Sequence, residues 1–194
     1  MRPHPDIELA KRAEAGENAA WREIYDATKE RLFALIAYHT GDREEARDVL
    51  QETYTSAVRG IGRYRGEGSL ESWLCGIALR RARDWKRRFL KVIKSADPIE
   101  SHPRLEAAAA GDPEEARILR RELAKLTKRQ RAAFLLHEWM GYSFAEAGKA
   151  MGVNESTARV HAHRAKEALR KALEFSPVSP PHGQPHREIQ EQRP

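Results

Sequence analysis

"GYSFAEAGKAMGVNESTARVHAHRAKEALRKALEF", residues 141–175, holds two helical periods separated by one break. Ser143 followed by Glu146 has the spacing of a capping box, which starts a helix. Gly152 ends that helix, and Asn154 stands where it can cap the next. On a wheel of about 100° per residue, Ala158, Ala162, Ala165, Leu169, Ala172 and Leu173 gather on one side as a core face. Ser156, Arg159, Val160, His163, Arg164, Glu167 and Arg170 occupy the other. The small alanines allow close packing on a neighbour. Helix, glycine turn and long arginine-bearing helix predict a helix-turn-helix unit, whose second helix enters the major groove of DNA. Such a pair also occurs in proteins that bind no DNA. Val160 is apolar at the centre of the polar face. It either covers a thymine methyl or is a stray surface valine.

Outward from that unit the chain stays helical. A helix is expected from Glu114 to about Leu126, and Thr127 caps the next, with Ala133, Phe134, Leu136 and Trp139 inside. Upstream, "SADPIESHPRLEAAAAGDP" (95–113) has three prolines and no amphipathic period, and it reads as a linker. Before it, Asp6 can cap a helix running into Ile7 and Leu9. Trp21, Ile24, Tyr25, Thr28, Leu32, Leu35 and Ile36 then recur at helical spacing. "HTGD" (39–42) is a break, and Asp42 caps a helix to about Gly60. After "GIGRYRGEGS" (60–69), Ser69 with Ser72 starts a helix through Trp73, Ile77, Ala78 and Trp85 to about Lys94. No segment alternates like a strand. The expected fold is all-α, with helical domains at 1–94 and 114–175. The proline-rich tail 176–194 has little to bury and is expected to be disordered.

Charged residues make up 33% of the 194, with a net charge of +6 and a pI near 9.6. A basic chain suits a polyanion, either nucleic acid or an anionic membrane surface, although a merely soluble surface has the same composition. Cys75 is the single cysteine, which excludes an internal disulfide and suits a reducing cytoplasm. It is expected to be a small buried residue. The N-terminus has no apolar signal-peptide core, and no apolar run approaches the roughly 20 residues of a membrane span. His161 and His163 point about 200° apart on a helix, and "PHGQPH" (181–186) has no cysteine or carboxylate cluster beside it. No metal site, cofactor or catalytic nucleophile with a partnered base is expected, so an enzyme acting on nucleic acid ranks last.

Two further stretches carry chemistry. In "GDREEARDVLQETYTSAVRG" (41–60), Ala46, Val49, Leu50, Thr53, Tyr54 and Ala57 form a buried side. Glu44, Asp48, Gln51, Glu52 and Thr55 form the other, which is either a solvated face or a surface for a protein partner. "RYRGEGSLESWL" (63–74) combines two arginines, an aromatic ring, two glycines and a tryptophan.

Together these residues spell a family. "GDREEARDVLQETYTSAVRGIGRYRGEGSLESWLCGIALRRARDWKRR" (41–88) resembles region two of bacterial sigma factors, and "LTKRQRAAFLLHEWMGYSFAEAGKAMGVNESTARVHAHRAKEALRKAL" (126–173) resembles region four. Their order across a short linker, with no room for regions one-one or three, is similar to the extracytoplasmic-function group. The resemblance covers about Asp6 to Leu173. It implies that Asp48, Gln51 and Glu52 dock on core RNA polymerase. It implies that the loop takes up an unstacked minus-ten base. There Arg63 and Arg65 would meet phosphates, Tyr64 would stack, and Gly66 and Gly68 would let the backbone approach. Glu67 and Ser69 would bond the base edge, while Trp73 faces the base in part or belongs to the core. Arg80, Arg81, Arg83, Lys86, Arg87 and Arg88, with Asp84, would form a basic rail for promoter DNA. Ser156, Thr157, Arg159, Val160, His161, His163 and Arg164 would fall at the minus-thirty-five element.

Some positions depart from the family. Thr157-Ala158-Arg159-Val160-His161 has valine for the usual serine and histidine for the usual arginine, so the recognised element is expected to differ. Arg80 stands where asparagine is common. The implied partners are core polymerase and promoter DNA, with an anti-sigma factor as a further candidate. The rival reading is a helix-turn-helix regulator that acts without core polymerase, for which neither Asp48-Gln51-Glu52 nor the loop is needed.

Overall fold

The computed structural model describes residues 5–95 and 114–174, with the side chains of 86–95, 114–116, 173 and 174 excepted. The expected tail, the linker beyond Ser95 and the side chains of Lys86, Arg87, Arg88 and Leu173 lie outside the described set. In order come α1 (Pro5–Glu14), α2 (Asn18–Thr40), α3 (Arg43–Gly60), a 3₁₀ turn (Ile61–Arg63) and α4 (Leu70–Ser95). Then come α5 (Glu114–Lys125), α6 (Lys128–Phe134), a π turn (Leu135–Trp139), α7 (Phe144–Met151) and α8 (Glu155–Glu174). No strand occurs among the described residues.

The local signals explain most boundaries. Asp42 accepts from the amides of Glu44 and Glu45. Thr127 with Gln130 and Ser143 with Glu146 form complete capping boxes. Asn154 Oδ1 accepts from the Thr157 amide at 2.8 Å. Gly152 closes α7 in the left-handed region, at φ 70°. One expected cap acts elsewhere. Pro5 opens α1, where its missing N–H costs nothing, so Asp6 lies inside the first turn. Its Oδ2 accepts instead from the amide of Leu70, the first residue of α4, at 2.7 Å.

The N-terminal core packs Ile24, Leu32, Leu35 and Ile36 of α2 against Ala46, Val49 and Ala57 of α3 and Leu74, Cys75 and Ala78 of α4. α1 adds Ala10 and Ala13, and the Trp21 indole donates to the Ala13 carbonyl at 3.0 Å. In the C-terminal unit the predicted stripe Ala158, Ala162, Ala165 and Leu169 is buried against Leu123, Leu136, Ala147 and Ala150. Two expected inward residues face out. Tyr25 is 44% exposed, with its ring on Tyr54. Trp139 is 46% exposed and meets Tyr38 edge-on at 6.0 Å. For Trp139 the cause is the π turn, in which Met140 N bonds to Leu135 O. The wider turn shifts the helical phase, so Met140 takes the inward position that period 3.6 assigns to Trp139.

The two units share one continuous core. Gly76 of α4 lies against the backbone of Ala150 of α7. Cys75 Sγ is 4.0 Å from Met140 Sδ and 3.9 Å from the Tyr142 hydroxyl. Burial, then the charge of Glu71, pushes the Cys75 thiol up to about 12, which suppresses the reactive thiolate. Arg31 of α2 donates to Glu71 at 2.9 Å and to the Met140 carbonyl at 2.8 Å. Arg131, 8% exposed, donates to the carbonyls of Leu123, Ala124 and Leu126 and, at 2.7 Å, to His39 at the end of α2. A guanidinium without a carboxylate is tolerable in this interior because the ends of helices supply converging carbonyls.

Arg131→Met keeps the volume and strands these acceptors. It is expected to lower the unfolding free energy by about 2–3 kcal/mol with little change in native helicity. A urea titration followed by circular dichroism measures this.

Candidate nucleic-acid interface

The 3₁₀ turn ends in Arg63, and loop 64–69 follows. The Tyr64 hydroxyl donates to the Gly68 carbonyl at 2.7 Å, closing the loop on itself. The half-buried Tyr64 ring leans on Trp73, with centroids 6.0 Å apart at 57°. Burial, then the neighbouring carboxylate of Asp6, pushes this phenol up to about 12. Gly66 turns at φ +71°, and a side chain there would meet Ile7 Cδ1 at 2.5 Å. Only glycine takes that conformation without strain. The Ser69 hydroxyl accepts from the Ser72 amide at 3.1 Å, so it caps α4.

Around the loop lies a cleft of about 270 Å³. Arg63, Tyr64, Arg65, Glu67, Ser69, Trp73 and Arg80 all line it. Gly66 shapes the turn behind it, and Arg83 is exposed away from it. Arg63, Trp73 and Arg80 also line a second cleft of about 260 Å³, so the indole is a wall between two cavities. Burial, then Arg83 and Arg81, holds the Arg80 guanidinium below its ordinary range. Like charges are crowded there, and a phosphate would relieve them. Sequence reasoning missed the fourth wall, which is Glu146, Lys149 and Ala150 of α7. Lys149 Nζ donates to the Glu67 carbonyl at 3.1 Å and to its carboxylate at 3.2 Å. Nothing local in the sequence pairs residues 82 positions apart.

On α3, Asp48 and Gln51 are exposed and Glu52 is half-buried. They border an open groove of about 420 Å³ with Arg59, Arg81 and Trp85. The groove beside the expected acidic face is therefore of mixed charge. Arg59 could have been read from the helical spacing, whereas Arg81 and Trp85 arrive from α4.

Along α8, Ser156, Arg159, Val160, His163 and Arg164 are exposed, and Val160 is 46% accessible. The Ser156 hydroxyl donates to Asn154 at 2.9 Å. Arg159 is held by Glu155 at 2.6 Å, and its guanidinium lies 5.0 Å from the Phe144 ring centroid. Thr157 and His161 are half-buried at the edge of this face. The His161 Nδ1 has no hydrogen-bond partner among the described residues. Burial, then Arg129 and Arg164, lowers its pKa. Among the described residues no three His, Cys, Asp or Glu side chains group as metal ligands.

Comparison with known proteins bears on both halves. The family profile "Sigma-70 region 2" matches residues 24–91, and "Sigma-70, region 4" matches residues 116–169. The chain is 30% identical over 170 residues to the ECF RNA polymerase sigma factor SigM of Mycobacterium tuberculosis, covering 88% of this chain and 85% of that one. It belongs to the ECF sigma factors. RNA polymerase sigma factor CarQ of Myxococcus xanthus is 31% identical over 160 residues, covering 81% of this chain and 91% of that one. The sigma factor RpoE of Bartonella quintana, solved with the anti-sigma factor NepR, superposes with a TM-score of 0.68 at 19% identity. That match covers 80% of this chain and 97% of that one. CnrH, solved with the cytosolic domain of CnrY, gives 0.64 at 20% identity, over 88% and 98%. At these identities the structural likeness is one of fold. As an RNA polymerase sigma factor the protein serves transcription initiation. Region 2 takes in most of α2, α3 and most of α4, and region 4 takes in most of α5, α6, α7 and most of α8, while α1 precedes both matches.

The His161 environment has a measurable consequence. In the unfolded sigma factor this ring titrates near ~6.5, and folding lowers its pKa. Its contribution is therefore fully present above the unfolded value and is lost as pH falls through the folded one. Urea midpoints between about pH 7 and 5 should fall less steeply in His161→Gln than in the parent.

Proposed function

We propose that this sigma factor docks on core RNA polymerase through Asp48, Gln51 and Glu52 and directs initiation at promoters. It does so by holding an unpaired minus-ten base at the loop cleft and reading the minus-thirty-five element with α8. The observation that carries this reading is the cleft itself. Arginines, an aromatic pair and a glycine turn share one mouth there, which supplies phosphate neutralisation, stacking surface and close backbone approach to an unstacked base. On α8, Arg159, Val160, His163 and Arg164 form one exposed strip of the helix expected in the major groove.

Because α7 forms one wall, a base reaches the cleft from that side only once α7 withdraws. The Lys149–Glu67 pair is exposed, and such pairs contribute about 0–1 kcal/mol. Binding to core polymerase, which sets the distance between regions 2 and 4, supplies the separation. The site of action on this reading is the cytoplasm, and no helix among the described residues is long and apolar enough to cross a membrane. An anti-sigma factor is a further partner, as it is for the relative from Bartonella quintana. A regulator acting without polymerase would leave the region 2 half unused.

Asp48→Arg combined with Glu52→Arg is expected to abolish co-purification with core polymerase and run-off transcription while leaving helicity intact. Undiminished co-purification would overturn the docking assignment. Val160→Ser is expected to change preference at one minus-thirty-five position by about 1–3 kcal/mol with little loss of stability. Selection of a randomised element by holoenzyme reads this, and identical motifs for the two proteins would leave Val160 a surface residue only.

A further inference from the structure

α1 lies upstream of the region 2 match at 24–91, yet its residues hold the loop from behind. Asp6 Oδ2 accepts from Leu70 N at 2.7 Å, across 64 positions of chain. The same carboxylate stands close enough to raise the Tyr64 phenol. Ile7 fills the space over Gly66, and Glu14 lies against Gly62. α1 is itself fixed. The Trp21 indole bonds to the Ala13 carbonyl at 3.0 Å, and Arg12 pairs with Glu17 at the turn into α2.

The first-turn amides of α4 need acceptors that the helix cannot supply. Ser69 serves Ser72 from within the loop, whereas Asp6 serves Leu70 from another helix. A carboxylate at that end also meets the positive pole of the helix dipole. The junction at Leu70 is where the loop ends, so the bond fixes the loop's exit relative to the core. Tyr64 at the start is tied to Gly68 near that exit. We propose that Asp6 is a positioning residue for base capture, fixing through Leu70 N the placement of Tyr64 and Ser69 at the cleft. The proposal rests on the reading of that cleft as the minus-ten base site.

The test uses holoenzyme assembled from the full chain and core polymerase. Forked promoter DNA carries either a base or an abasic site at the unpaired minus-ten position. Asp6→Ala is expected to reduce the preference for the base roughly three- to tenfold, with core affinity and binding to DNA bearing only the minus-thirty-five element unchanged. Asp6→Asn keeps an acceptor oxygen and should restore most of the preference. In the free chain, Asp6→Ala should speed amide exchange at Leu70 and leave the α2 and α3 core amides unaffected. Undiminished preference in Asp6→Ala overturns the proposal, as does Asp6→Asn falling as far as Asp6→Ala, or exchange rising through the whole core. A parent protein that does not distinguish base from abasic site overturns the reading of the cleft itself, and the proposal with it.

Discussion

At Gly76 the backbones of the two halves of the protein meet. A Cβ there would stand 3.3 Å from Ala150 Cα and 3.4 Å from its carbonyl oxygen. Two small residues therefore let α4 and α7 lie backbone to backbone, at a depth that larger side chains would forbid. The other contacts between the halves require that depth. Met140 and Tyr142 reach Cys75, Arg31 reaches the Met140 carbonyl, and Arg131 reaches His39. The same approach stands Glu146 and Lys149 at the mouth of the loop cleft. In this arrangement the element with the clearest nucleic-acid chemistry in region 2 is partly covered by the first helix of the helix-turn-helix in region 4.

Charge is distributed unevenly over the two candidate DNA surfaces. Around the cleft the cations are crowded, and Arg80 is disfavoured by burial and by Arg83 and Arg81. A polyanion would relieve that repulsion. On α8 Arg129 and Arg164 likewise lower the pKa of His161, but one arginine of the face is already paired. Arg159 already has a carboxylate and an aromatic face, and it must exchange the Glu155 contact for any DNA contact. The first surface gathers its cations around a cleft, whereas the second sets Arg159 against Glu155 and Phe144 on a helix face. That difference suits capture of an unpaired strand in one case and reading of base edges in the other.

Much of this was legible in the chain. The capping boxes at Thr127 and Ser143 and the caps at Asp42 and Asn154 are local, because the acceptor and the amides it serves lie within a few residues. The alanine stripe on α8 is local for the same reason, since a fixed helical period maps sequence spacing onto faces. The errors arose where period or partner ceased to be local. The π turn shifted the phase and put Trp139 outside. Asp6 found an amide on another helix. The acidic side chains of α3 stand on the side expected of them, but the sequence did not place Arg81 of α4 beside them.

The sequence by itself determined the all-α class, the helix-turn-helix, the family and the identity of the chemistry-bearing side chains. All of these follow from short-range spacing and from motifs that read in order along the chain. Only the tertiary structure decided that seven of the expected minus-ten residues line one cleft, that Trp73 divides it from a second, and that α7 forms its fourth wall. Those facts depend on pairs such as Glu67 with Lys149 and Asp6 with Leu70, 82 and 64 residues apart. Such pairs are set by how whole helices pack, and no local period records that.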